Sequence, residues 1–109
     1  MRAFELDDME AERARGGRLY HEFLSVPALS LGLYVLPAGG VDPQEPHGED
    51  EAYYLLRGRA RVTVGDEVRD VRPGSVVFVD ASVPHRFHDI EEEPALLVVF
   101  GPAEGSTSG

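Results

Sequence analysis

Residues 39–58 read GGVDPQEPHGEDEAYYLLRG, and here acids, a histidine, turn residues and a strand are packed together. Glu45 and His47 stand two apart, so in extended backbone they face the same way. Gly48 supplies a turn that can fold Glu51 back beside them, which puts three candidate ligands on one wall. Residues 73–89, PGSVVFVDASVPHRFHD, offer a second wall: a turn leads into an apolar run, a loop, and then His85 at the start of another strand. Two carboxylates and two imidazoles converging in this way make a metal site.

The spacing of these residues resembles that of the cupin family. Its first motif runs Gly, five residues, His, one residue, His, three or four residues, Glu, six residues, Gly. Gly39, His47, Glu51 and Gly58 fall on that spacing without insertion, while Glu45 stands where the family has its first His. In the second motif Gly74 and His85 match, but Asp80, Ser82 and Asp89 occupy the positions of Pro, Gly and Asn, which implies a looser loop. The resemblance covers residues 29–100. It implies an all-β fold, a double-stranded β-helix or jelly-roll barrel, preceded here by a short N-terminal helix. It also implies a mononuclear metal site held by Glu45, His47, Glu51 and His85.

Composition narrows the class. A chain of 109 residues is long enough for one domain with one core. Each motif occurs once and no longer period recurs, which excludes a solenoid and the duplicated two-barrel form of the family. The net charge of -10 opposes binding to nucleic acid or an anionic membrane. Cysteine is absent, which excludes disulfides and thiol chemistry and fits a cytoplasmic protein. No apolar run has membrane-spanning length, and the first residues lack an apolar signal core.

In chain order, residues 6–15 are expected to form a short helix, capped by Asp7 with Glu10 three residues on, and ended by Gly16 and Gly17. Residues 18–26 alternate as a strand, with Leu19, His21, Phe23 and Ser25 on one face and Tyr20, Glu22, Leu24 and Val26 on the other. Such a strand can cover the barrel or pair with a second subunit, so a homodimer is expected. Residues 1–28 thus form the helix and covering strand, 29–101 the barrel, and 102–109 a flexible polar tail. Within the barrel, Glu51, Tyr53 and Leu55 face inward. Gly58 supplies a tight turn into Ala60, Val62 and Val64, leaving Arg59 and Arg61 outward. Gly65-Asp66 marks a hairpin, and residues 96–100 form a closing strand.

Alternatives stand beside the site. His21 and His88 read as hydrogen-bonded imidazoles. Glu45 is either a ligand or a solvated loop carboxylate beside Glu49 and Asp50, an acidic run that reads as wet surface; Gln44 can replace it if the loop shifts, though strand parity favours Glu45. Tyr53 either hydrogen-bonds a substrate oxygen or is a core phenol. With all four ligands, the charge of a divalent ion is cancelled, which favours Fe(II) or Mn(II) over Zn(II) or Ni(II). Three functions compete: a metal-dependent enzyme of dioxygenase or isomerase type, with Glu51 as a base, acting on a small organic substrate; a non-catalytic module that binds a metabolite or metal; and a barrel that has lost its metal.

Overall fold

The computed structural model describes residues 1–43 and 46–106. Gln44 and Glu45 lie outside the described residues. In chain order the elements are helix α1 (Leu6–Gly16) and strands β1 (Tyr20–Val26), β2 (Leu29–Val35), β3 (Asp50–Val64), β4 (Glu67–Val71), β5 (Val76–Val79) and β6 (His85–Gly101). The strands pair antiparallel in the order β1-β2-β6-β3-β4, with β5 on the free side of the first part of β3.

Two long strands carry this architecture. β3 and β6 pair from Asp50 opposite Gly101 to Val64 opposite His85, with register shifts between Leu55 and Arg61. The first part of β3 lies between β5 and the end of β6, and the last part between β4 and the start of β6. Each long strand therefore serves two sheets joined at a bend.

Gly58 sits at that bend, and here the structure corrects the sequence reading. It is not a turn between strands but a residue inside one continuous strand. Its φ of 96° is in the left-handed region, and a Cβ would come to 2.5 Å from Pro94 Cα. The bend changes the inward parity from odd to even, so Glu51, Tyr53 and Leu55 and then Ala60 and Val62 are buried while Arg59 and Arg61 are exposed. Residues 96–100 likewise form the end of β6 rather than a separate strand.

The core between the sheets is built from Leu36, Tyr53, Leu55, Phe87, Leu96 and Phe100, among others. A smaller cluster of Met9, Leu33, Val35 and Ala95, with Phe23 and Leu56 against it, lies where α1 packs on the sheet. Burial of each such side chain contributes about 1.5–3 kcal/mol. Asp7 does not cap the helix. Glu5 is the N-cap residue and makes no side-chain cap bond, while Asp7 and Asp8 lie in the first turn, where they complement the helix dipole. The other end is as expected: Gly17, at φ 68°, donates its N–H to Arg13 and Ala14.

β1 also departs from simple alternation. Its register shifts between Glu22 and Leu24; Phe23 lies in the cluster with Met9 and Tyr20 packs into the main core, on opposite faces as alternation expects. Leu24 pairs with Leu31 while Glu22 pairs with Gly32, so Leu24 does not share Tyr20's face. The Gly65-Asp66 hairpin forms with Val64 opposite Glu67. No helix among the described residues is long and apolar enough to cross a membrane.

Gly58→Ala combines a strained φ with contact on the Glu93–Pro94 backbone, so it is expected to cost on the order of 2–4 kcal/mol. Thermal unfolding should register a fall of about 10 °C or more, on the scaling for domains of this size. A midpoint unchanged from wild type would contradict the close-packed bend.

Candidate functional site

The β3 parity that buries Tyr53 and Leu55 also buries Glu51, which is only 2% exposed. His85, at the start of β6, meets it across the interior, with Nε2 3.0 Å from Glu51 Oε1. Neither Glu51 oxygen has a hydrogen bond of good geometry among the described residues, despite that short approach. A buried carboxylate in this condition costs several kcal/mol unless a positive group compensates it.

The state of His85 follows from its other contacts. Nδ1 lies 2.9 Å from the Val83 carbonyl, which can only accept, so Nδ1 carries a proton. In the neutral ring Nε2 is then an acceptor, and the Tyr53 hydroxyl stands 3.0 Å from it. A lone pair on Nε2 facing a carboxylate at that distance is repulsive. Either a second proton on the imidazole or a cation between the two groups removes the repulsion. Burial disfavours the charged ring, but the Glu51 carboxylate, the Val83 carbonyl and the charge of Asp42 outweigh it and raise the His85 pKa above its ordinary value.

His47 arrives from the loop before β3. Its carbonyl accepts the Ser82 N–H at 2.6 Å, and Asp50 Oδ1 accepts the Ala81 N–H at 2.9 Å. These bonds tie the two motif loops together and hold the His47 and His85 rings 6.2 Å apart, centre to centre. The His47 ring packs edge-on against Phe100 at 4.9 Å, and its Nδ1 lies 3.7 Å from Glu104. Among the described residues no three His, Asp or Glu side chains form a group that could hold a metal ion. The chemistry of the pair nevertheless suits one. Glu51 offers two unsatisfied oxygens, and the Val83 contact fixes the His85 tautomer that leaves Nε2 as donor atom.

Glu51 and His47 open onto a cavity of about 110 Å³. Its apolar lining comes from Tyr20, Tyr34, Val98 and Phe100, and Glu104 adds a third polar group. His85 and Tyr53 are not among the lining residues, and Glu51 and His47 stand between the cavity and the buried His85. The Tyr53 hydroxyl points at His85, and its ring packs edge-on to Phe87 at 5.0 Å.

Several contributors had no signal in the sequence. Asp42, 5% exposed, accepts the Tyr34 hydroxyl at 2.6 Å and the Phe87 N–H at 2.9 Å, which anchors the loop leading to His47. Glu104 belongs to residues 102–106, at the start of the expected tail. Its N–H donates to buried Ser30 Oγ at 2.9 Å, and Ala103 packs in at 6% exposure. Burial raises the Glu104 pKa; His47 pulls it down, and Glu22, Glu51 and Glu49 push it up further. Glu49 corrects the wet-surface reading of the acidic run, because it is 3% exposed, whereas Asp50 is exposed. His21 and His88 are hydrogen-bonded, to Glu12 and to Thr63 and Asp89.

A family model described as a cupin domain matches residues 32–101. Over 104 residues the chain is 51% identical to an uncharacterised protein of Streptomyces coelicolor, covering 95% of this chain and 99% of that one. It is 33% identical over 70 residues to the oxalate decarboxylase of Bacillus subtilis, covering 60% of this chain but only 18% of the enzyme. Among solved structures, a protein of Methanocaldococcus jannaschii with a double-stranded β-helix fold superposes with a TM-score of 0.69 at 19% identity, covering 76% of this chain and 78% of that one. The fold is accordingly a double-stranded β-helix.

Ser82 stands at the position of the family's glycine and has a φ of 67°, a region that glycine enters freely and serine does not. Ser82→Gly is therefore expected to stabilise the protein by about 0.5–1 kcal/mol. Thermal unfolding should rise by about 3–6 °C; a decrease would mean that the serine side chain contributes more than its backbone strain costs.

Proposed function

We propose, from the premise that this chain belongs to the cupin family, that it is a small metal-binding cupin acting on a small organic ligand in the cavity beside Glu51. The observation that carries this reading is the buried Glu51 carboxylate, unsatisfied at both oxygens and 3.0 Å from a His85 nitrogen whose tautomer is fixed. Glu51 and His85 would hold the ion, with His47 from the adjoining loop and Glu45 as the fourth candidate. A bound divalent ion would supply Lewis acidity toward a ligand oxygen. Fe(II) or Mn(II) suits a set rich in carboxylates, and Zn(II) or Ni(II) is the alternative.

This chain's own residues supply the rest. Glu51 borders the cavity and is placed to take a proton from the ligand. The Tyr53 hydroxyl meets His85 at Nε2, beside Glu51, and would stand next to a bound ion. The apolar lining gives a ligand a hydrophobic wall beside Glu51. Proton removal beside a polarised carbonyl is common to enolisation and to the opening step of many oxidations, so the reading leans to dioxygenase-type oxidoreductase chemistry, with an isomerase as the neighbouring case. The kinship with a decarboxylase supports enzyme chemistry in this family.

A second reading, a non-catalytic binding module, is favoured by one observation: His47 lies by Glu104 rather than in a closed ligand group. As for partners, the barrel's outer face supports a homodimer. Tyr54 pairs with Val76 and Leu97, and Ala52 with Phe78 and Val99; Val76 is 70% and Phe78 58% exposed. The proposed compartment is the cytoplasm.

Metal content by mass spectrometry, after growth with Mn, Fe, Ni and Zn supplied together, separates the readings. Near-stoichiometric metal is expected in wild type, with at least a tenfold loss in His85→Ala and in His47→Ala. Folded wild type without metal would overturn the metal reading and leave the binding module.

A further inference from the structure

On the outer side of the barrel, β3 and β6 bring a hydroxyl, an imidazole and a carboxylate into one line. Thr63 Oγ1 lies 2.7 Å from His88 Nε2, and His88 Nδ1 lies 3.0 Å from Asp89 Oδ2. Strand register accounts for the first contact. Thr63 pairs with Arg86 and Arg61 with His88, so Thr63 and His88 are diagonal neighbours on one face. The second contact needs a break in the strand, because residues 88 and 89 of a regular strand point to opposite faces. That break is present. Phe87 and Ile90 are both buried although three apart, the register shifts between Arg59 and Arg61, and Asp89 has a φ of 48°. The bulge leaves Asp89 exposed and its carboxylate on the His88 ring. A positive φ outside glycine costs about 1 kcal/mol or more, and here it holds the line together. His85 and Phe87, on the same strand, are buried on the inward face, so the line is separate from the Glu51–His85 pair.

Proton positions follow from the contacts. The Asp89 carboxylate accepts, so Nδ1 carries the proton of the neutral imidazole and Nε2 is left as an acceptor. The Thr63 hydroxyl is then the donor to Nε2. A hydroxyl, an imidazole and a carboxylate in this order are the arrangement that activates an oxygen nucleophile. Access is open, with the His88 side chain 25% and the Asp89 side chain 62% exposed. Arg86, exposed and opposite Thr63 in register, puts a cation on the same face. So open a site suits a small acyl donor that is already activated, rather than a stable amide.

We propose that Thr63, His88 and Asp89 form an acyl-transfer site on the outer face of the barrel, where Thr63 takes the acyl group of a small activated ester. Thr63 Oγ1 bonds to the acyl carbon as its proton passes to His88 Nε2. The bond from that carbon to the ester oxygen then breaks, and the alcohol leaves with the bonding pair and the proton from Nε2. Water attacks the acyl-threonine by the same route, which frees the acid and restores the hydroxyl. Asp89 keeps the proton of the resting imidazole on Nδ1 and offsets the charge of the imidazolium.

The chain contains no lysine and no cysteine, so acetylation by p-nitrophenyl acetate has few competing acceptors. Release of p-nitrophenolate by the full chain in mildly alkaline buffer should fall about tenfold or more in Thr63→Val, His88→Ala and Asp89→Asn. Acid-quenched protein, digested and analysed by mass spectrometry, should carry the acetyl group on Thr63. Circular dichroism identifies folded variants, and Thr63→Ser, which keeps the hydroxyl, should retain the activity if the valine variant does not fold. Release unchanged in a folded Thr63→Val, His88→Ala or Asp89→Asn variant, or an acetyl group found only on other residues, would overturn the proposal. The same results are expected after metal is removed with a chelator, so failure here and failure of the metal reading are distinguishable.

Discussion

A carboxylate buried in a barrel interior must be compensated, and Glu51 is the carboxylate around which this chain is arranged. It is 2% exposed, both oxygens lack good hydrogen bonds among the described residues, and a His85 nitrogen lies 3.0 Å from one of them. Desolvation of such a group costs several kcal/mol, and a single neutral imidazole does not repay it. A proton on His85 or a cation beside it does. The pairing of β3 with β6, the bend at Gly58, and the bonds that join the His47 loop to Ala81 and Ser82 all hold this pair in register. Val83 then fixes the ring through Nδ1, and the Tyr53 hydroxyl meets Nε2, the nitrogen that faces Glu51.

The inward face of β3 was legible because strand parity is a local property. Glu51, Tyr53 and Leu55 alternate, and the interior follows. That Gly58 bends one continuous strand rather than turning between two was not, because it depends on the approach of Pro94 from another strand. Leu24 shows the same limit: one shift of register in β1 took it off the Tyr20 face, while Phe23 kept the face that alternation gives it. Motif spacing placed His47, Glu51 and His85 in one neighbourhood, while Glu45 falls outside the described residues. Ser82 explains why a departure from the motif need not loosen the loop. The serine takes the left-handed conformation of the glycine it replaces.

Residues recruited over long separations left no local mark. Asp42 looks like an ordinary loop acid, yet it joins β2 to β6 through Tyr34 and Phe87. Glu104 lies in a short polar segment whose place is set by Ser30, far back in the chain. Glu49 sat in a run of acids, where composition points to solvent, but the tied loops bury it. The barrel thus supplies the Glu51–His85 pair from its long strands, while Tyr20 from β1 and Glu104 from the segment after β6 line the same cavity as Glu51.

The most direct test of Glu51 and His85 as a metal-holding pair is the nitrogen NMR spectrum of the histidine side chains, recorded before and after one equivalent of Zn(II). Expected is a His85 ring that keeps its proton on Nδ1 while Nε2 shifts as a metal-bound nitrogen, with no such change in Glu51→Gln. A His85 ring unaffected by zinc, or one that stays doubly protonated with zinc present, would contradict the pair as a metal site.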